Sequence, residues 1–291
     1  MQGILLRLAA IALITAMSAI IHQLAKNLPV GQIMAWRSGV ATIVIVTFAL
    51  RFGGAQSLVP KHLGNHAIRG LLGGLAMAFS FTSLAYLPVA NASALGYLAP
   101  LISLPLAAWL LGERMTRWLV VAAMLGLLGI GLMLWAELER PDFSRGSLIG
   151  MGAGLGFALT WAMVRIHVKR MSSHESAASI SLSFALASMA MGLVTWPFGW
   201  NGLTSTSLFL LVCAGLLGAF GHILSVEAVK RTKVSTLAPF DYFGLIFALG
   251  IDAVVFAVVP GTLAFLGMVV IVVAGLIAVL QEARAPRHTV S

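Results

Sequence analysis

The chain has 291 residues, of which 60% are hydrophobic and only 9% are charged, and its mean hydropathy is +1.00. A soluble domain carries about 25% charged residues, so this composition excludes an ordinary soluble domain and predicts that lipid covers much of the exterior. The net charge of +9 lies in short connectors between apolar runs, which favours membrane lipid headgroups over nucleic acid as the partner of the basic residues.

Ten apolar runs are long enough to cross a bilayer, since a transmembrane helix needs about 20 residues. They lie at 4–25, 30–50, 67–87, 89–111, 118–135, 147–168, 176–196, 205–229, 234–256 and 262–281. The third and fourth runs meet at Pro88 almost without a loop, and a single span there would reduce the count to nine. Pro88 favours a break because proline cannot continue the hydrogen bonding of a helix.

The basic residues orient the spans. With ten spans and the N-terminus inside, fourteen Lys and Arg residues, Arg7 and Arg69 among them, fall on the inner side, whereas Lys26, Arg140 and Arg145 fall outside. This asymmetry follows the positive-inside rule, and merging the spans at Pro88 would place the later basic loops on the wrong side. The sequence therefore predicts an all-α polytopic membrane protein with ten transmembrane helices and both termini in the cytoplasm.

The ten spans divide near Pro141 into two five-helix repeats, 1–140 and 141–291, within one membrane domain. Gly3-Ile4-Leu5-Leu6 resembles Gly146-Ser147-Leu148-Ile149 across this division. Five is an odd number, so consecutive similar halves must insert in opposite orientations. Inverted repeats place a substrate site near the midplane and support alternating access, so transport is the first functional hypothesis.

Three motifs carry a family resemblance. They are Pro29…Trp36-Arg37, Leu98-Ala99-Pro100…Leu111-Gly112-Glu113-Arg114, and Leu237-Ala238-Pro239-Phe240-Asp241-Tyr242. In this order they resemble the two repeats of the drug/metabolite transporter superfamily over about 4–281, and within it the bacterial aromatic amino acid exporters. The resemblance implies export of amino acids and other small metabolites across the bacterial inner membrane. The second half lacks a counterpart of Glu113, so the resemblance does not extend to a role that needs paired glutamates.

Candidate cavity residues are interior aromatic side chains, titratable groups within spans, and prolines that expose backbone carbonyl groups. The predicted substrate-binding residues are Phe79, Tyr97, Pro100, Trp161, His222, Pro239, Asp241 and Tyr242. Stacking on the aromatic rings would suit flat organic substrates. Asp241 would bind a proton or a substrate ammonium, or would pair with Lys230 or Lys233.

The remaining charged residues have structural alternatives. Arg37, within the second span, would snorkel to the outer surface, attract a substrate carboxylate, or pair with Asp252. Glu227 is expected to pair with Lys230 or Arg231, and His22 is expected at the outer interface. His62 and His66 have a spacing that can bind metal on a helix, but no carboxylate or cysteine neighbours them in sequence, which predicts that both are solvated.

Other functions find less support in the sequence. A membrane enzyme would need a convergent set of His, Asp or Glu residues, and no HExxH motif, phosphate-binding loop or nucleophile elbow is present. No cofactor or metal is expected, and the single cysteine, Cys213, excludes a disulfide framework. A passive channel or facilitator stays open, as does the oligomeric state. A nucleotide-sugar carrier would need several basic residues in the cavity, where only Arg37 is expected. Glycine pairs at Gly70…Gly74, Gly150…Gly154 and Gly152…Gly156 predict close helix packing.

Overall fold

The computed structural model describes residues 2–99, 102, 117–138, 144–171, 174–231, 243–259 and 261–284, and these residues form helices and connectors without strands. The α-helices are α1 (Gln2–Leu24), α2 (Val30–Phe52), α3 (Leu63–Tyr86), α4 (Val89–Gly96), α5 (Arg117–Leu138), α6 (Arg145–Met171), α7 (Ala177–Leu193), α8 (Ser205–Arg231), α9 (Phe243–Val255) and α10 (Thr262–Arg284). Two short 3-10 helices occupy Ala55–Leu58 and Trp196–Phe198.

Several of these helices can cross a membrane. Within the described ranges, six are long and apolar enough by length and composition, namely α1, α2, α3, α6, α7 and α8, whereas Phe243–Val255 and Thr262–Ile277 are shorter apolar helices. Large apolar side chains cover the outside, among them Ile43 (68% exposed) and Phe209 (67%), as lipid contact requires. The all-helical class with multiple membrane-crossing helices is confirmed, and the full count of ten spans stays a prediction.

The break at Pro88 is present. Helix α3 ends at Tyr86, and α4 begins at Val89 after Pro88 in an extended conformation (φ −53°, ψ 152°). The first N–H groups of a helix have no partner within it. In α4 the backbone N–H groups of Val89 and Ala90 donate to the carboxylate of Asp252 on α9, at 3.1 and 2.5 Å. Asp252 therefore holds the start of α4 in place.

Helix packing follows a regular scheme across the two predicted halves. Helix α1 packs on α8 and α9, α2 on α7 and α8, and α3 on α6 and α7. Helix α4 packs on α6 and α9, and α5 on α10. If each helix of the first half is exchanged for its counterpart in the second (α1 for α6, α2 for α7, and so on to α5 for α10), every pair becomes another pair of the same set. The contacts that each helix of the first half makes with the second half are therefore matched by the contacts that its counterpart makes with the first half.

Glycines allow the closest approaches. A Cβ at Gly192 of α7 would lie 2.6 Å from Gly31 O and from Ala35 N of α2, so the two backbones are in contact there. Gly154 of α6 similarly faces Ser83 and Leu95. The predicted packing role holds for Gly70, Gly74, Gly150, Gly154 and Gly156, each of which faces another helix. It is wrong for Gly152, which faces open space.

Candidate functional site

Three basic side chains converge inside the bundle. Arg37 is the eighth residue of α2, Arg69 is the seventh residue of α3, and His222 lies on α8. Arg37 and Arg69 are 2% and 6% exposed. We call these three residues the basic cluster. It combines helices from both predicted halves, because α2 and α3 precede Pro141 and α8 follows it.

Arg37 lies between α1 and α8. Its Nη2 atom is 3.5 Å from the sulfur of Met17, and a Cβ at Gly218 of α8 would lie 2.9 Å from its Cζ atom. The Nε atom is buried and has no hydrogen-bond partner in the part of the chain that the structure describes. The sulfur of Met17 is only a weak acceptor. The guanidinium is thus enclosed by apolar groups and a glycine.

Arg69 packs on an aromatic ring. Its guanidinium lies 4.6 Å from the ring centroid of Phe184 on α7, a cation–π arrangement. A Cβ at Gly73 would lie 2.6 Å from the same ring, so the glycine leaves the room that both side chains occupy. The Nε and Nη1 atoms of Arg69 are buried without hydrogen-bond partners among the described residues.

His222 lies close to both guanidinium groups. Its ring meets Phe184 edge-on, with centroids 6.0 Å apart, and it lies one helical turn from Gly218, where Arg37 packs. Arg37, Arg69 and Arg7 all lie close enough to interact with His222 electrostatically. Arg7 also donates to the hydroxyl of Ser225, one turn further along α8.

Three acidic side chains have partners outside the basic cluster. Asp252 binds the N-terminus of α4, and Glu227 lies 3.0 Å from Arg231, as expected from the sequence. Glu175 binds the connector before α3. None of these three carboxyl groups is paired with Arg37 or Arg69.

Three sequence expectations about this region are wrong. The predicted pair of Arg37 with Asp252 does not form, and Arg37 is too buried to snorkel to the surface. Arg69, counted among the inner connectors, is instead buried in α3, so Arg37 is not alone in the interior. The sequence did contain a signal for Arg69, since it lies two residues inside the predicted span and is followed by Gly70, Gly73 and Gly74.

The predicted aromatic residues lie in another group. Phe157 stacks on Trp161 of α6 with centroids 5.9 Å apart, and a Cβ at Gly96 would lie 2.8 Å from the Phe157 ring. Next to Gly96, Tyr97 directs its hydroxyl at Gly244 of α9. Tyr97 and Trp161 are both half-buried against the core. Phe157, which the sequence interpretation missed, thus bridges the elements that carry these two residues.

The other predicted residues separate from both groups or lie outside the described ranges. Phe79 is 36% exposed, and its ring lies 3.2 Å from the Cβ position of Gly156, so it packs α3 against α6. Of the predicted substrate-binding residues, the structure joins His222 to the basic cluster and places Tyr97 and Trp161 beside Phe157. Those outside the described ranges are Pro100, Pro239, Asp241 and Tyr242, which stay predictions.

Two polar contacts join the predicted halves at opposite ends of the bundle. At the end where α1 begins, Glu175 accepts hydrogen bonds from the backbone N–H groups of Lys61 (3.0 Å) and His62 (2.9 Å), and its Oε2 atom lies 3.2 Å from Nε2 of His66. This close contact is not aligned as a hydrogen bond. We call this contact the Glu175 clasp.

The Glu175 clasp overturns the prediction for His66. That side chain is 5% exposed, and its Nδ1 atom lies 2.8 Å from the hydroxyl of Ser183, whereas His62 is exposed as expected. Burial alone would raise the pKa of Glu175, but contacts with the Lys61 N–H, the His66 side chain and the His62 N–H lower this pKa to about 2. Glu175 is therefore ionised at neutral pH.

The second contact lies at the other end of the bundle and is uncharged. The backbone N–H of Asn201 donates to Gln32 Oε1 (3.1 Å), and Gln32 Nε2 donates to the carbonyl of Asn201 (2.8 Å). The side-chain amide of Asn201 donates to the carbonyl of Asn27 (2.5 Å). We call this contact the Asn201 clasp. It joins the α1–α2 and α7–α8 connectors, as the Glu175 clasp joins the α2–α3 and α6–α7 connectors.

His22 contacts a backbone carbonyl and an aromatic ring. Its Nδ1 atom lies 2.5 Å from the carbonyl of Leu84 on α3, and its ring meets Phe256 edge-on at 4.9 Å. It is half-buried and links α1 with α3, and its place at the outer interface stays a prediction. No group of three or more His, Cys, Asp or Glu side chains that could hold a metal occurs in the described ranges.

Comparisons with known proteins find similarity to membrane transporters. The family model described as the EamA-like transporter family matches residues 1–135 and again residues 145–280. The chain is 27% identical to the pseudopaline exporter of Pseudomonas aeruginosa, with 94% of each chain covered. It is 29% identical to the riboflavin transporter of Vibrio cholerae, covering 84% of this chain and 81% of that one.

Two further similarities extend the set. The S-adenosylmethionine uptake transporter of Rickettsia prowazekii is 26% identical, with 84% of this chain and 81% of that one covered. A protein of known crystal structure has a TM-score of 0.69 at 22% identity, covering 98% of this chain and 99% of that one. The structural likeness shows a shared fold.

Proposed function

Because the chain belongs to the EamA-like transporter family, we propose that this membrane transporter exports small organic metabolites, including amino acids with aromatic side chains. Export would take place by alternating access across the bacterial inner membrane, with both termini in the cytoplasm. No cofactor is needed for such a cycle, and a monomer contains both halves.

The observation that carries this proposal is the basic cluster. Ionisable groups within membrane-spanning helices are costly, and by default they indicate a substrate or ion pathway. Arg37 and Arg69 come from the first half, and His222 comes from the second. A site between two halves becomes accessible from each side in turn when the halves rock against one another.

Two findings support halves of opposite orientation. The family model matches the chain twice, over 1–135 and 145–280, close to the proposed repeats 1–140 and 141–291. The helix pairs between the halves are also unchanged when helices five apart are exchanged. Two similar halves of five helices each would have opposite orientations in the membrane.

An amino acid has one group that suits the basic cluster and another that suits the aromatic residues. Its carboxylate matches the planar donors of a guanidinium, and an aromatic side chain could stack near Tyr97, Phe157 and Trp161. Pro100, Pro239, Asp241 and Tyr242 are proposed to complete the cavity. The relatives are named for pseudopaline, riboflavin and S-adenosylmethionine, so they carry different metabolites, and one is an exporter while another is an uptake transporter.

Flux of labelled tryptophan in proteoliposomes tests the proposal. We expect protein-dependent efflux that accelerates when unlabelled tryptophan is present on the opposite side. Arg37→Gln should reduce the flux at least tenfold. Arg51→Gln, a change at an exposed arginine on the same helix, should not.

The outcome separates the alternatives. Flux without trans-stimulation and without response to a pH gradient would favour a passive facilitator instead. Absence of protein-dependent flux for tryptophan and for a panel of other amino acids and metabolites would refute the proposal.

A further inference from the structure

We propose that the basic cluster is an anion-binding site and that the transported substrate presents carboxylate or phosphate oxygens to Arg37 and Arg69. This inference rests on the proposed transport function and narrows the substrate class. It starts from two buried guanidiniums that have no anionic partner among the described residues.

Hydrogen-bond donors at this site exceed the acceptors. A guanidinium has five N–H donors in a planar fork, yet Arg37 has only the thioether of Met17, and Arg69 has only the ring of Phe184. Three of their buried nitrogen atoms have no partner in the described ranges. A buried charge without a partner is strongly disfavoured, so an anion that enters the site gains a large electrostatic attraction.

The surrounding side chains hold the guanidinium groups but accept few of their N–H donors. Met17 and Gly218 enclose Arg37, and Phe184 and Gly73 enclose Arg69. These contacts come from the weakly accepting sulfur of Met17, an aromatic ring and two glycines, which position a flat cation but leave most of its N–H donors available to a ligand. Carboxylate and phosphate both match such an edge, since they accept two parallel hydrogen bonds.

The charge at the basic cluster favours the anionic group of a substrate over its ammonium group. Arg37 and Arg69 both lie close to His222, and neither has an acidic partner among the described residues. A substrate ammonium would therefore be repelled at this site, whereas a second carboxylate would be attracted. A dianion should bind more tightly than a monoanion of the same shape, and a neutral analogue should bind least.

Calorimetric titration of the full chain in detergent tests this order with one ring system. The probes are phenylsuccinate (two carboxylates), 3-phenylpropionate (one), phenylalanine (a zwitterion), 3-phenylpropanamide (neutral) and phenyl phosphate. We expect phenylsuccinate or phenyl phosphate to bind most tightly, and the tighter of these two identifies carboxylate or phosphate as the preferred group. Charge-assisted hydrogen bonds are strong enough that losing one weakens binding about 10- to 100-fold.

Variants locate the site. Arg37→Gln and Arg69→Gln should each weaken binding of the preferred anion about 10- to 100-fold and leave the affinity for the neutral amide unchanged. Arg51→Gln should change neither affinity. A thermal unfolding curve for each variant identifies any that fails to fold. In that case Arg37→Lys, which keeps the charge and loses the planar fork, takes the place of Arg37→Gln. It should bind the preferred anion more weakly than the wild type.

Two results would overturn the inference. One is equal affinity for phenylsuccinate and the neutral amide, and the other is anion affinity that is unchanged in both arginine variants. Its failure differs from failure of the proposed function. Transport of neutral or zwitterionic probes without anion binding would refute only the anion site, whereas arginine-dependent anion binding without flux of any probe would refute only transport.

Discussion

Replacing Arg37 by methionine is expected to stabilise the ligand-free protein. A buried donor without a partner costs about 1–3 kcal/mol, and the Nε atom of Arg37 is such a donor. Methionine is long and flexible, so it can fill the space between Met17 and Gly218 without carrying a charge. The exchange should raise the free energy of unfolding by about 1–3 kcal/mol, although Arg37 lies at the centre of the proposed site.

The assay is reversible unfolding by SDS in mixed micelles, with and without a binding anion. The exposed Arg51→Met control should change the free energy of unfolding by no more than about 0.5 kcal/mol. An anion at 100 times its Kd should stabilise the wild type by about 2.7 kcal/mol and the Arg37→Met variant by far less. A loss of more than about 1 kcal/mol in the ligand-free variant would refute the reasoning, because Arg37 would then be holding the helices together.

Three further predictions concern helix ends and crossings. Glu175→Gln should destabilise the protein at neutral pH, because folding lowers the pKa of the Glu175 carboxyl group from 4.5 to about 2. In unfolding titrations, the extra stability of the wild type should be complete above about pH 4.5 and should vanish as the pH falls to about 2. Asp252→Ala should reduce the free energy of unfolding by about 2–5 kcal/mol, since two buried N–H groups lose their acceptor, and Asp252→Asn should lie between it and the wild type; equal stability of all three would contradict the capping role. Gly192→Ala should cost about 1–3 kcal/mol through overpacking, and Gly152→Ala, in open space, should cost nothing; the reverse order would show that the α2–α7 contact is misassigned.

Hydrophobic patterning and proline placement predicted the helices well. Runs of about 20 apolar residues depend on local sequence alone, so α1, α2, α3, α6, α7 and α8 follow directly from it. Pro88 also marked a real boundary, because loss of a backbone donor is a local property. The superfamily resemblance is confirmed by the family match, whereas the relatives identified do not single out aromatic amino acid exporters.

Partners between distant helices could not be predicted. Asp252 was expected near Arg37, yet it binds backbone groups of α4, which become available only because the helix starts there. His66 was expected to be solvated, but Glu175 approaches it from the connector of the other half. Arg69 looked like an inner-side charge because hydropathy does not show which face of a helix is enclosed. Pairing depends on helix rotation and crossing, which a single sequence does not specify.

The two clasps have a mechanical consequence for α2 and α7. The Glu175 clasp lies just before the start of α7 and grips the connector that follows α2, while the Asn201 clasp lies beyond the end of α7 and grips Gln32 in the first turn of α2. Gly192 adds a backbone contact between the same two helices. Helix α7 is thus fastened to the first half at both of its ends, to the start of α3 at one and to the first turn of α2 at the other. Any motion that keeps both clasps closed must therefore carry α7 together with these two helix starts.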